Sequence, residues 1–368
     1  MATVTIVTAF NPKNAGMYSV DLAAEQFFGS AGHKVRLVRT QWRQKIGRVR
    51  FGRQRFRRLR DPAALFETDV LVYWGDFTTN LLYGREDFPR RDMGFGHATS
   101  RDQAFTAWQA LFLPIRQNEG TKVLSIGQNF HSLEASFGDL PDAQRSEIEN
   151  RYRTSFDAIL PRDDVSFQSL APLKLDQAGV RVKVGLDPAM LLDYGALFPT
   201  LADVRPTETF AHVFGRSDFG GLSDLLDEVG RRSGCAPVDL PRWHDLDPWF
   251  ADRQMRKMIE TIASARFVLT DTYHCAINAL VLGKPVFCLG VRQGAQSSTV
   301  SEPKKRILFR MLGLDSNYVE LADQALSADR CSMISKTVVT GLAQGPAHLA
   351  DRIATFRSDI EAVLAGRT

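Results

Sequence analysis

Cysteine is scarce: Cys235, Cys275, Cys288 and Cys331 are the four in 368 residues, and they show neither CxxC nor any other metal-type spacing. That excludes a zinc ribbon and a disulfide framework and leaves reduced structural thiols as the expectation. Nowhere does the chain approach the ~18 uninterrupted apolar residues that a membrane-crossing helix needs. The strand-like run Thr3 to Thr8 comes at once, without the charged-then-apolar pattern of a leader, so a cytoplasmic protein is expected. GxGxxG is missing after the first strand, and there is no repeat or low-complexity tract. The sharpest absence is local: between Arg39 and Arg60 there is no Asp or Glu.

What is present fits a folded protein of two domains. Hydrophobic residues at 44% supply real cores, charged residues at 24% are too few to keep the chain disordered, and 368 residues exceed what one core usually organises. The formal charge of +4 is unevenly spread, because Arg43, Arg48, Arg50, Arg53, Arg55, Arg57 and Arg58 interleave with Trp42, Phe51 and Phe56. Such a segment matches anionic lipid head groups, a lipid-linked diphosphate sugar or a nucleic acid, with a plain solvated face as the alternative. No nucleic-acid motif accompanies it, so peripheral contact with the inner face of a membrane ranks ahead of nucleic acid.

Periodicity predicts strand, helix and strand over Val4 to Thr8, Met17 to Gly29 and Lys34 to Arg39, a βαβ opening. Short apolar runs follow at Asp69 to Tyr73, Lys122 to Ile126, Ala158 to Pro161 and Val182 to Gly185. Pro199 and Pro206 punctuate a loop-like stretch, placing a boundary between an N-terminal domain 1–198, the acceptor side, and a C-terminal domain 199–368, the donor side. Alternation resumes with a strand at His212 to Phe214, helices over Leu222 to Arg232 and Phe250 to Ala263, a strand at Phe267 to Leu269, a helix at Ala276 to Leu282 and a strand at Val286 to Leu289. The helical tail Ser335 to Leu364 is long enough to cross back over the first domain. The expected fold is α/β, two Rossmann-like domains facing a cleft in the manner of glycosyltransferase-B proteins, with function in the loops at the carboxyl ends of the strands.

Those loops supply the candidates. Asn14 and Gly16 sit where backbone amides at a helix N-terminus can meet an anion. Tyr73-Trp74-Gly75-Asp76 ends a strand, with Asp76 placed to act as a base or to orient a sugar hydroxyl and a plain cap as the alternative. In Pro161-Arg162-Asp163-Asp164-Val165-Ser166, Arg162 offers a rigid fork for carboxylate or phosphate, while the acidic pair and Ser166 read as a helix cap and first turn. Arg216 and Ser217 follow the strand ending at Gly215. The richest segment is Arg266 to Gly290, where Asp271, Thr272 and Tyr273 lead into His274 at a strand-to-helix junction, a position for proton exchange near neutral pH or for a phosphate contact.

The order RDDVS, GLDPAMLL, DTYHCAINALVLGKPV and CLG, spanning about Asp157 to Gly290, resembles the polysaccharide pyruvyl transferase family. The resemblance implies an enzyme that uses phosphoenolpyruvate as donor substrate, with no cofactor and no metal, and leaves a pyruvate ketal on a surface polysaccharide or its lipid-linked precursor. It implies Arg162 and His274 as the catalytic pair. Where the family carries arginine two residues before the histidine, this chain carries Thr272, and Arg216, Lys284 and Arg292 are the candidates to supply that charge. Two further readings stay open: a glycosyltransferase using a nucleotide sugar, and a glycan-binding member without turnover. A sugar or lipid-linked oligosaccharide is the expected partner, nucleic acid is not, and self-association stays open.

Overall fold

The structure, a computed structural model, describes residues 1–41, 47–116, 119–131, 133–215, 219–291 and 301–366, with the backbone alone for residues 301 and 302. It divides into two compact units: Met1–Asn11, Val20–Leu191 and Asp351–Thr368 form the first, Pro12–Ser19 and Leu192–Ala350 the second. Each unit is built on one predominantly parallel sheet.

The first unit contains β1 (Thr3–Val7), β2 (Lys34–Arg39), β3 (Arg48–Phe51), β4 (Gln54–Arg58), β5 (Val70–Trp74), β6 (Lys122–Ile126), β7 (Ala158–Leu160) and β8 (Arg181–Val182). Their order is β3-β4-β2-β1-β5-β6-β7-β8, and among the described residues the one antiparallel pairing is β3 with β4. Inward of β3, the order runs outward in opposite directions from β1 and β5, so the topological switch point lies between those two strands. All of β5, VLVYW, is buried, as expected of a central parallel strand covered on both faces. Trp108, Phe112, Tyr152 and Phe156 pack on that core with Tyr73. Two of these aromatics also fix the loop after β5, because the Trp108 indole donates to the Thr78 carbonyl at 2.9 Å and the Tyr152 hydroxyl to the Thr79 carbonyl at 2.5 Å.

The second unit contains β9 (Thr209–Val213), β10 (Ala236–Asp239), β11 (Phe267–Thr270), β12 (Val286–Val291) and β13 (Tyr318–Leu321), ordered β10-β9-β11-β12-β13 and all parallel. This is the doubly wound order with its switch point between β9 and β11. Phe210 and Phe267 stack at 5.0 Å across those strands, and Phe287 meets Phe267 edge-on from β12. The fold class is thus α/β with two Rossmann-like sheets.

Several elements differ from the sequence reading. The helix expected at Ala276 starts three residues earlier and spans Tyr273–Val281, because Thr272 is extended and closes the preceding turn through its amide to Thr270 Oγ1 (3.0 Å). The tail is two helices, Ala328–Gly341 and Leu349–Leu364, interrupted where Gly345 and Pro346 stand. In the first unit the second of them is held by a Lys183–Asp359 ion pair and by Arg357 reaching the Leu191 carbonyl. The basic segment, read as a charge run, contains the β3–β4 hairpin. All four cysteines are free and buried, and no helix among the described residues is long and apolar enough to cross a membrane.

Candidate functional site

In the second unit the switch point is occupied by polar side chains from four separate stretches of sequence. The helix Ala15–Ser30 begins at Asn14, whose carbonyl accepts from the Tyr18 amide at 2.8 Å and whose Oδ1 accepts from the Gly16 amide at 2.9 Å. Backbone bonds from Ala15 to the Trp243 carbonyl and from Leu246 to the Lys13 carbonyl, both 2.7 Å, clamp this turn onto the loop carrying His244. With Asn14 Oδ1 committed to backbone amides, its Nδ2 faces His244 Nδ1 at 3.2 Å. An amide nitrogen only donates, so Nδ1 accepts and the neutral His244 ring carries its proton on Nε2. Nε2 lies 3.5 Å from Thr272 Oγ1, which donates to Asp271 Oδ1 at 3.0 Å, and the same Oδ1 accepts from the Gly215 amide at 3.1 Å. The result is a directed chain from Asn14 through His244 and Thr272 to Asp271, joining the carboxyl ends of β9 and β11.

His274 is the second residue of the helix Tyr273–Val281 and is 7% exposed. Its carbonyl accepts from Asn278 Nδ2 at 2.6 Å, and Asn278 also reaches Ser19 Oγ at 3.3 Å and Tyr194. Gly16 packs directly on it: a Cβ added there would lie 2.3 Å from His274 Cβ. The glycine in this loop therefore provides close approach, and the amides of Gly16 and Met17 point at Asn14 Oδ1 instead of at an anion.

Two lysines complete the positive end of the site. Lys305, 2% exposed, sets its ammonium 3.0 Å from the Asp271 carbonyl and 3.3 Å from the Leu289 carbonyl, and Lys304 places its own 4.9 Å from the Tyr273 ring centroid. Together with the amino end of the nine-residue helix, these ammoniums make a field suited to a carboxylate or phosphate. Cys275, beside His274, is fully buried, and burial pushes its thiol far above the ordinary value, which disfavours the thiolate.

Asn14, Gly16, Asp271, Thr272, Tyr273 and His274 thus come together. Lys284 does not join them. It precedes β12, whose Val286 pairs with Val268, so it stands at the amino edge of the sheet, whereas Asp271 to His274 follow the carboxyl end of β11. Arg216 and Arg292 lie outside the described residues. His244 and Lys305 were not found by reading the sequence. The signal for Lys305 was available in Pro303-Lys304-Lys305, a proline followed by paired lysines at a helix start.

Arg162 and Asp76 belong to the first unit. Arg162 follows β7, 2% exposed, with Nε 3.5 Å from Asp163 Oδ2. Asp163 caps the helix Asp164–Leu170 through the Ser166 amide (2.7 Å) and pairs with His131 Nε2 at 3.0 Å. Burial works to raise the Asp163 carboxyl, but the hydrogen bond and charge of His131, Arg162 and the Ser166 amide overcome it and hold the group at about 2. Asp76 sits at this unit's own switch point in the left-handed region, φ 62°, a costly conformation for a residue with a side chain. The turn is held there by Gln128 donating to the Gly75 carbonyl and by the Asn129 amide donating to the Asp76 carbonyl (2.7 Å). Asp76 Oδ1 and both carboxyl oxygens of Asp21 are buried without a hydrogen-bond partner among the described residues. Burial, then the charges of Glu25 and Asp76, push the Asp21 carboxyl well above its ordinary value.

Two predominantly parallel sheets, each with polar groups gathered at its switch point, define a two-unit α/β protein of the Rossmann-like class. The sequence profile described as polysaccharide pyruvyl transferase matches residues 22–293. The chain belongs to the polysaccharide pyruvyl transferase family. No curated protein matches it. Similar solved structures include the UDP-N-acetylglucosamine 2-epimerase of Rickettsia bellii, 12% identical with TM-score 0.49 over 100% of this chain and 96% of that one. The epimerase of Methanocaldococcus jannaschii is 11% identical, TM-score 0.46, over 97% and 99%. An alpha-glucosyltransferase in complex with UDP is 10% identical, TM-score 0.47, over 97% and 94%.

Proposed function

We propose that the chain transfers the pyruvyl unit of phosphoenolpyruvate to two hydroxyls of one sugar, on a surface polysaccharide or its lipid-linked precursor. The observation that carries this reading is His274 in the first helical turn at the β9/β11 switch point, inside the family match, with the Lys305 ammonium 3.0 Å from the neighbouring Asp271 carbonyl. In the second unit Lys305, Lys304 and the helix end take the donor's anionic groups, in place of the family arginine that Thr272 replaces.

Protonation of the donor's methylene carbon, assigned to His274, generates an oxocarbenium-like centre. The first sugar hydroxyl attacks it and gives up its proton, inorganic phosphate departs, and the second hydroxyl closes the ketal with loss of its own proton. Asp76, held in a strained turn, is assigned to the acceptor's hydroxyl groups. Arg162 enters as the positive charge beside Asp163 and His131.

A thermal-shift panel tests the donor, since a ligand that binds only the folded state raises its midpoint. Stabilisation by phosphoenolpyruvate that is weakened in Lys305→Met supports the reading. Stabilisation by a sugar nucleotide alone supports glycosyl transfer instead, the alternative that Thr272 favours, and no response to either donor supports a glycan-binding member.

A further inference from the structure

The β3–β4 hairpin presents a feature that its own folding does not explain. In the antiparallel register Arg48 faces Arg57 and Arg50 faces Arg55, so four guanidinium groups project from one surface as two like-charged cross-strand pairs. Directly opposed residues stand about 5 Å apart, where like charges destabilise the pairing. All four are exposed, and no ion pair to any of them is present among the described residues. The other surface explains how so charged a hairpin is held: Phe51, Gln54 and Phe56 are buried, and Phe56 meets Phe10 edge-on at 4.8 Å. Arg39, the buried end of β2, lies over the Phe10 ring at 5.2 Å. The hairpin is therefore anchored by one face and charged on the other. Those four charges equal the formal net charge of the whole chain, +4.

We infer that this face docks on an anionic phospholipid surface. Its chemistry is an exposed array of guanidinium groups, and both described aromatics of the hairpin, Phe51 and Phe56, are buried and so are not offered to stack on a base. An exposed two-stranded array of like charge matches a plane of head groups, to which each basic residue near the surface adds about fivefold in partitioning. The attraction falls off within a Debye length and weakens with salt.

The test uses the full chain and vesicles of phosphatidylcholine alone or doped with phosphatidylserine, read by co-sedimentation. Wild type is expected to partition onto the phosphatidylserine vesicles, to leave them as salt rises and to ignore phosphatidylcholine. Arg48→Gln, Arg50→Gln, Arg55→Gln and Arg57→Gln combined should lower partitioning at least ~100-fold. A control removing the same charge elsewhere, Arg205→Gln, Arg253→Gln, Lys257→Gln and Lys336→Gln, should retain most of it. If the fourfold variant does not fold, the two cross-strand doubles each supply the reading at about 25-fold. Equal partitioning of hairpin variant and control overturns the inference, as does failure of wild type to bind the anionic vesicles. Tighter binding to duplex RNA than to vesicles at matched salt, lost in the same hairpin variants, also overturns it by reassigning the face to nucleic acid.

Discussion

Gly16→Ala sets two effects of opposite sign against each other at the candidate site. Gly16 lies in the first turn of the helix Ala15–Ser30, where alanine is worth about 1 kcal/mol over glycine from propensity alone. The new Cβ, however, would lie 2.3 Å from His274 Cβ, 2.9 Å from its Cγ and 3.0 Å from Asn14 Oδ1. The obstructing atom is the root of a side chain in a second helix, with the His274 carbonyl held by Asn278, so no flexible tip can swing aside. Overpacking of this kind costs about 1–3 kcal/mol. The expected balance is a loss of roughly 1 kcal/mol, and the larger effect falls on activity, because a shift of about 1 Å in a reacting group costs about 100-fold. Gly29→Ala in the same helix is the matched control: its Cβ meets nothing within 4 Å, so it should gain stability and leave turnover unchanged. Urea unfolding and phosphate release from phosphoenolpyruvate in the presence of acceptor measure both. A Gly16→Ala protein as stable and as active as Gly29→Ala would refute the close-approach reasoning.

The remaining predictions concern protons. His274→Ala should fold normally and lower turnover at least ~100-fold, as loss of an acid-base group does; unchanged turnover in the folded variant removes that role. Asp21, raised by burial, holds more protons folded than unfolded above pH 3.8, so wild type should lose up to about 1.4 kcal/mol per pH unit as pH rises from there towards the folded-state value. Asp21→Asn should abolish that slope in denaturant midpoints and be the more stable protein at pH 7. Asp163, held at about 2, contributes stability that is full above pH 3.8 and is lost as pH falls towards 2. His131→Ala breaks this buried pair and should cost about 3 kcal/mol at pH 7 while flattening the acid limb of the stability curve.

Much of the fold was legible because parallel strands covered on both faces are short apolar runs: Lys122 to Ile126 and Lys34 to Arg39 were placed residue for residue. Strands at the sheet edges were not. Ala236–Asp239 carries Pro237, which argues against a strand except at an edge, and β10 is the edge of its sheet. In β3 and β4 the alternation of arginine with Val49 and Phe56 is a period of two, hidden by charge density. At the site, the residues local to one strand end, Asp271 to His274, could be singled out from order alone. His244 could not, and for Lys305 the Pro303-Lys304-Lys305 run marks a helix start but not where it docks; their convergence on Thr272 and Asp271 is created by the order β9-β11-β12. Lys284 shows the converse error, near in sequence yet at the opposite edge of the sheet.

The arginine pairs also bear on the open edge of the first unit's sheet. An outermost strand offers unpaired backbone donors and acceptors to any passing copy of itself, and β3 is such a strand. A second hairpin approaching in register would bring Arg48 and Arg50 against their own counterparts, so the row of like charge guards the open edge against sheet-to-sheet aggregation. Neutralising that row removes the guard, and solubility at high concentration should fall even as the hairpin itself is relieved of repulsion.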